Sequence, residues 1–167
     1  MDATTAAGLI GAGGAVLGAF AAGGAAVAVE GRRSRAGRLE AHRHEVRSVC
    51  SQFTSAIARV RSNSYNLKRD AAAEQAGLAA LEEARVGCEQ LRLLLDDKST
   101  QRAARLALRH AYAVWVTAQS GVDPREAESK GKRPEKRLRE ELTKLYVGVR
   151  TELGVEHPTD VFEELED

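Results

Sequence analysis

Two hydrophobic patterns divide the chain. From Ala6 to Val29 every residue is apolar, with seven Gly and ten Ala joined by Leu9, Ile10, Val16, Leu17, Phe20, Val27 and Val29. A helix of that length spans roughly 36 Å at about 1.5 Å per residue, enough for a hydrocarbon layer of about 30 Å. Beyond Glu30, apolar residues recur three, four and seven apart among charged ones, the spacing of amphipathic helices with one face turned to a core. The pattern predicts an all-α protein: an N-terminal transmembrane helix over 6–29, then an antiparallel bundle of about four helices.

Leu39, Val46, Phe53, Val60 and Leu67 are seven apart, with Val49, Cys50, Ala56 and Ile57 beside them. A long helix over about 36–69 follows, its apolar face opposite its arginines. The heptad allows a coiled-coil seam, but His42 and Asn63 at companion positions favour packing within a bundle. A second helix over 72–95 aligns Leu78, Leu81, Ala84, Cys88, Leu91 and Leu95. Asp96 to Ser99 breaks it, with Asp97 or Ser99 placed to cap the next helix. The third helix, over 100–119, holds Leu108, Ala111, Tyr112, Trp115 and Val116; it is the most apolar and is expected at the centre, with Ser120 and Gly121 as its stop. Residues 122–134, with Pro124, Gly131, Pro134, Lys130, Lys132 and Arg133, read as an exposed loop. A fourth helix from Pro134 or Glu135 to Leu153 aligns Leu138, Leu142, Leu145, Val149 and Leu153. Gly154 and Pro158 end it, and the tail beyond either forms a short helix capped by Thr159 or Asp160 or stays unstructured.

Charge decides the orientation. Only Asp2 and the α-amino group precede the hydrophobic segment, whereas Arg32, Arg33, Arg35 and Arg38 follow it at once. By the positive-inside rule the N-terminus is expected outside a cell membrane and the C-terminal domain in the cytoplasm, in a single pass. The main rival is a cleaved signal peptide, for which Ala26-Val27-Ala28 has the small-x-small form, although the absence of a basic n-region and the four arginines beyond the cut oppose it; a soluble or disordered Gly/Ala arm is the third reading. The expected organisation is a short extracytoplasmic N-terminus at 1–5, the anchor at 6–29, a basic juxtamembrane segment at 30–38, the bundle at 39–154 and an acidic tail at 155–167. The net charge of +1 conceals opposed blocks, because 30–70 holds ten Lys/Arg against four Asp/Glu while 154–167 holds six acids and no Lys or Arg. Local electrostatic partners are expected rather than a uniformly basic nucleic-acid surface.

Small residues recur four apart in the anchor, as Gly14, Gly18, Ala22 and Ala26, a row that lets helix backbones approach closely in lipid. Gly and Ala bring little apolar area, so insertion is expected to need a partner helix or self-association. The arginines Arg32, Arg33, Arg35 and Arg38 are expected to contact anionic lipid headgroups. Chemistry is not indicated. His42 and His44 point about 200° apart on a helix, and His110 and His157 have no ligand pair nearby, so no metal site is read. Cys50 and Cys88 sit on apolar stripes as small hydrophobes. Glu82-Glu83 and Asp96-Asp97 read as a solvated face and a helix cap, and neither a phosphate loop nor a nucleophile elbow is present. The chain is expected to be no enzyme and to need no cofactor.

The Gly/Ala anchor, the following Arg-Arg-Ser-Arg and the stretch ARVGCEQLRLLLDDKSTQRAARLALRHAYAVW from Ala84 to Trp115 together resemble small actinobacterial membrane proteins of uncharacterised function, in which an anchor precedes a cytosolic helical bundle. The resemblance implies no activity and no catalytic residues. The function expected is a non-enzymatic, membrane-tethered interaction or scaffold protein that binds a protein partner or itself. Two other readings compete: a membrane-active effector whose Gly/Ala helices oligomerise in the bilayer, and a membrane-held nucleic-acid-binding module. The last is disfavoured because no aromatic stacking platform accompanies the arginines.

Overall fold

A computed structural model describes residues 36–70 and 72–155. The anchor with Gly14, Gly18, Ala22 and Ala26, the arginines Arg32, Arg33 and Arg35, and the tail from Glu156 onward lie outside the described residues. The described residues are all-helical. Helix α1 occupies 36–66, α2 Ala72–Leu94, α3 Lys98–Ser120 and α4 Pro134–Glu152, with a 3-10 turn at Glu126–Glu128 before α4. Among the described residues no helix is long and apolar enough to cross a membrane.

Residues 1–42 and 43–167 form separate units. Of the first, 36–42 are described; they are helical, and Leu39 is exposed rather than part of an apolar stripe. The stripe expected along α1 is buried from Val46 onward, through Val49, Cys50, Phe53, Ala56, Ile57 and Val60.

In the second unit, contacts fix the helix directions. Phe53 of α1 lies against Gly87 of α2, and Arg59 pairs with Glu83, so these two helices are antiparallel. Trp115 of α3 packs on Gly77 of α2, and Gln119 donates to Glu74 at 3.3 Å, giving the same relation for α2 and α3. Thr100 at the start of α3 meets Gly148 near the end of α4. Arg43 of α1 reaches Gly154 just past α4. One core joins the four helices, with Phe53, Ile57, Leu91, Trp115, Leu138 and Leu145 as its large side chains. Between these sit Ala56, Ala80, Ala84, Ala103, Ala104, Ala107 and Ala111, all buried, so the helices approach closely instead of being spaced by bulky residues.

The helix ends form where local chemistry places them. Asp97 caps α3, its carboxylate accepting from the Thr100 amide at 2.8 Å and the Ser99 amide at 3.3 Å, and from both hydroxyls at 2.5 Å. These bonds hold its carboxyl well below the usual range. Gly121, at φ 76°, takes the left-handed position that ends α3, with its amide donating to the Thr117 carbonyl at 2.8 Å. The connection after it is exposed at most positions, as expected, but Asp123 is half-buried and Ser129 buried.

Gly77 and Gly148 are notches. A Cβ on Gly77 would overlap the indole ring of Trp115, which is 1 % exposed and cannot withdraw. A Cβ on Gly148 would overlap the Thr100 side chain, whose hydroxyl is tied to Asp97. Alanine normally stabilises a helix interior over glycine by about 1 kcal/mol. Overpacking reverses that sign here, so Gly77→Ala and Gly148→Ala are each expected to destabilise the fold by about 1–3 kcal/mol. Urea titration followed by the fluorescence of Trp115, the single tryptophan, measures this.

Candidate functional site

Of the residues expected to meet the membrane surface, Arg38 is described and stands on the exposed part of α1. Cys50 and Cys88 are both buried and carry free thiols. Burial pushes the Cys50 thiol up and, more strongly, the Cys88 thiol to about 11, which leaves them as protonated core residues with little nucleophilic character. Among the described residues no group of His, Cys, Asp and Glu is arranged to hold a metal ion. His44 is exposed and His42 half-buried.

Polar side chains gather inside the bundle where α3, α4 and their connection meet. Arg137 of α4 is 5 % exposed; its guanidinium pairs with Asp123 and also donates to the Arg125 carbonyl at 3.3 Å. Removing one member of such a pair leaves a buried charge uncompensated, which typically costs about 3–5 kcal/mol. The pair therefore pins the connection to α4. Glu141, also buried, accepts from Lys144 at 2.6 Å. Half-buried His110 of α3 sits near this cluster, and its Nδ1 is buried with no hydrogen-bond partner. Burial, then the charge of Arg137, pushes its pKa down, while Glu141 opposes. The cluster ties α3, α4 and their connection to one another, so it reads as structural.

The surface offers a different feature. Helices α2 and α3 leave an open groove of about 520 Å³ floored by Leu78, Leu81, Leu108 and Tyr112 and rimmed by Arg85, Arg105, Arg109 and Glu82. Leu78 is 52 % and Tyr112 54 % exposed, although both lie on stripes the periodicity assigns to the core. Three arginines against one glutamate make the rim basic. Arg85 is braced by Glu82 at 2.6 Å, which leaves it along the rim. Two other grooves differ in chemistry. That between α1 and α2 is lined by Ser51, Gln52, Ser55 and Gln90 and crossed by the Arg59–Glu83 pair. That beside the α2–α3 connection carries Asp96, Asp97 and Glu152 against a single Lys144. Among these three, the α2–α3 groove alone combines an exposed apolar floor with an excess of positive charge.

No protein-family model, curated protein or solved structure matches the chain.

The histidine yields a pH prediction. Its pKa is lowered on folding, so the unfolded chain takes up the proton first as the pH falls, and stability is lost below the ordinary histidine value of about 6.5. The melting temperature is expected to drop between about pH 7.5 and about pH 5.5, and His110→Gln is expected to flatten that part of the profile. Thermal melts across the range, with wild type and variant side by side, read it directly.

Proposed function

We propose that this protein is a non-enzymatic, membrane-tethered interaction protein whose cytoplasmic bundle presents the α2–α3 groove to a protein partner. The groove floor, with Leu78 and Tyr112 exposed and Leu81 and Leu108 half-buried within an arginine rim, carries the reading. Contiguous exposed apolar side chains bordered by polar ones are the usual mark of a docking surface. Helix-in-groove recognition supplies the physical mode: an amphipathic segment lays apolar residues on the floor while its acids meet the arginines. The tether rests on the sequence of 6–29 and on Arg32, Arg33, Arg35 and Arg38, which favour a single pass with the N-terminus outside and contact with anionic headgroups. The row Gly14, Gly18, Ala22 and Ala26 supports self-association of the anchor.

Full-length protein is expected in the membrane fraction, resisting alkaline carbonate and released by detergent. Recovery in the soluble fraction without detergent would rule the tether out. The groove is tested separately with the double variant Leu78→Ser, Tyr112→Ser in the full chain. Both side chains are half exposed, so stability should change by no more than about 0.5 kcal/mol each. Proteins crosslinked to the wild-type bundle in membranes are expected to be lost from the variant; an unchanged set removes the groove from the proposal.

A further inference from the structure

The groove's chemistry has a counterpart in the same chain. Residues 156–167, EHPTDVFEELED, carry six acids and no Lys or Arg, together with Val161, Phe162 and Leu165. Val161 and Leu165 are four apart and Phe162 and Leu165 three apart, the spacing that puts apolar side chains on one side of a helix. The segment thus has what the groove asks of a ligand: a few apolar anchors in a strongly acidic frame.

The exit point of the tail is favourable. The Glu152 carboxylate, at the end of α4, accepts from the Asp96 amide at 2.5 Å, so α4 finishes at the α2–α3 connection. From that end of the bundle Arg105 is about 10 Å and Tyr112 about 21 Å along α3, being seven and fourteen residues beyond Lys98. Phe162 and Leu165 follow Val155 by seven and ten residues and reach about 23 Å and about 33 Å when extended, enough to pass around α3 to the near part of the groove. The nearer groove beside the connection carries Asp96, Asp97 and Glu152 and repels an acidic segment. Charge therefore favours the farther, basic groove over the nearer one.

We infer that the acidic tail 156–167 of this chain docks in its own α2–α3 groove, seating Phe162 and Leu165 on the apolar floor and its carboxylates against Arg85 and Arg105. The inference rests on the docking role of the groove given above and adds its regulation. A partner with an acidic amphipathic segment has to displace the tail, so its apparent affinity falls by the fraction of molecules in which the groove is open. A short tether makes the tail a strong competitor, since its effective concentration near the groove reaches the millimolar range.

The test uses the full chain in detergent with Phe162→p-benzoylphenylalanine. On irradiation, crosslinks within one chain are expected to Leu78–Arg85 and Arg105–Tyr112, mapped by mass spectrometry of the monomer band. The pair Arg85→Glu, Arg105→Glu should reduce them at least fivefold, and Glu163→Arg with Glu164→Arg added should restore them. Crosslinks to other parts of the chain, or only between two chains, overturn the inference. A second measurement separates this from the role of the groove: a fluorescent peptide of sequence EHPTDVFEELED is titrated onto full chain carrying Phe162→Asp and Leu165→Asp, which empties the groove. Peptide binding that the Arg85→Glu, Arg105→Glu pair abolishes, without crosslinking in the first experiment, leaves the groove as a docking site and removes the tail as its occupant. Absence of both removes both.

Discussion

Trp115 lies on Gly77 and Thr100 on Gly148, and these contacts set how near α2 and α4 can come to α3. Alanine is the commonest residue of the core and buries little area per residue, so the bundle gains part of its stability from short-range contacts that need close backbones. Glycine costs each helix about 1 kcal/mol in propensity, offset by the approach it permits. The two notches lie towards opposite ends of α3 and face different helices, so together they fix the register of both neighbours. Asp97 takes part as well, because the hydroxyl that it holds belongs to the Thr100 side chain packed on Gly148.

The four helices were legible because the information is local. Apolar spacing marked the stripes, and Asp97 and Gly121 marked the ends of α3 through chemistry confined to a few residues. Long-range partners left no such signal. Asp123 and Arg137 are fourteen residues apart, one in a connection and one on a helix, and each alone looks like an ordinary surface charge. That is why the inward turn of Asp123 within an otherwise exposed loop has no local signature. The notches were equally silent: a glycine within a helical pattern only weakens it on paper, and the large side chain that needs it lies on another helix.

The groove was missed for a different reason. Periodicity tells on which side of a helix the apolar residues lie, but not how much of that side the neighbouring helices cover. The stripe of α2 contains Leu78, Leu81, Ala84, Cys88 and Leu91. Close packing through Gly77, Ala80, Ala84 and Cys88 buries the small-residue side and leaves Leu78 at its edge. On α3 the same holds for Ala107 and Ala111 inside and Tyr112 outside. Helices drawn together by alanine and glycine cover a narrow strip, and the larger residues next to that strip are left facing solvent. The exposed floor is thus a consequence of the small-residue core.

Such a floor is costly to leave in water, and the arginines around it bear on what covers it. Arginine can lay its stem along apolar surface while its guanidinium stays in water, and Arg85 and Arg105 border this floor without closing the groove. The rim also selects. A basic segment meets repulsion from Arg85, Arg105 and Arg109, and a purely apolar one gains nothing from them, whereas an acidic amphipathic one gains on both counts. At the ionic strength of a cell the charge contribution fades over about 8 Å, so it acts on a ligand already seated and adds little at long range. For a segment laid in such a groove, apolar contact would supply most of the affinity and charge the choice of ligand.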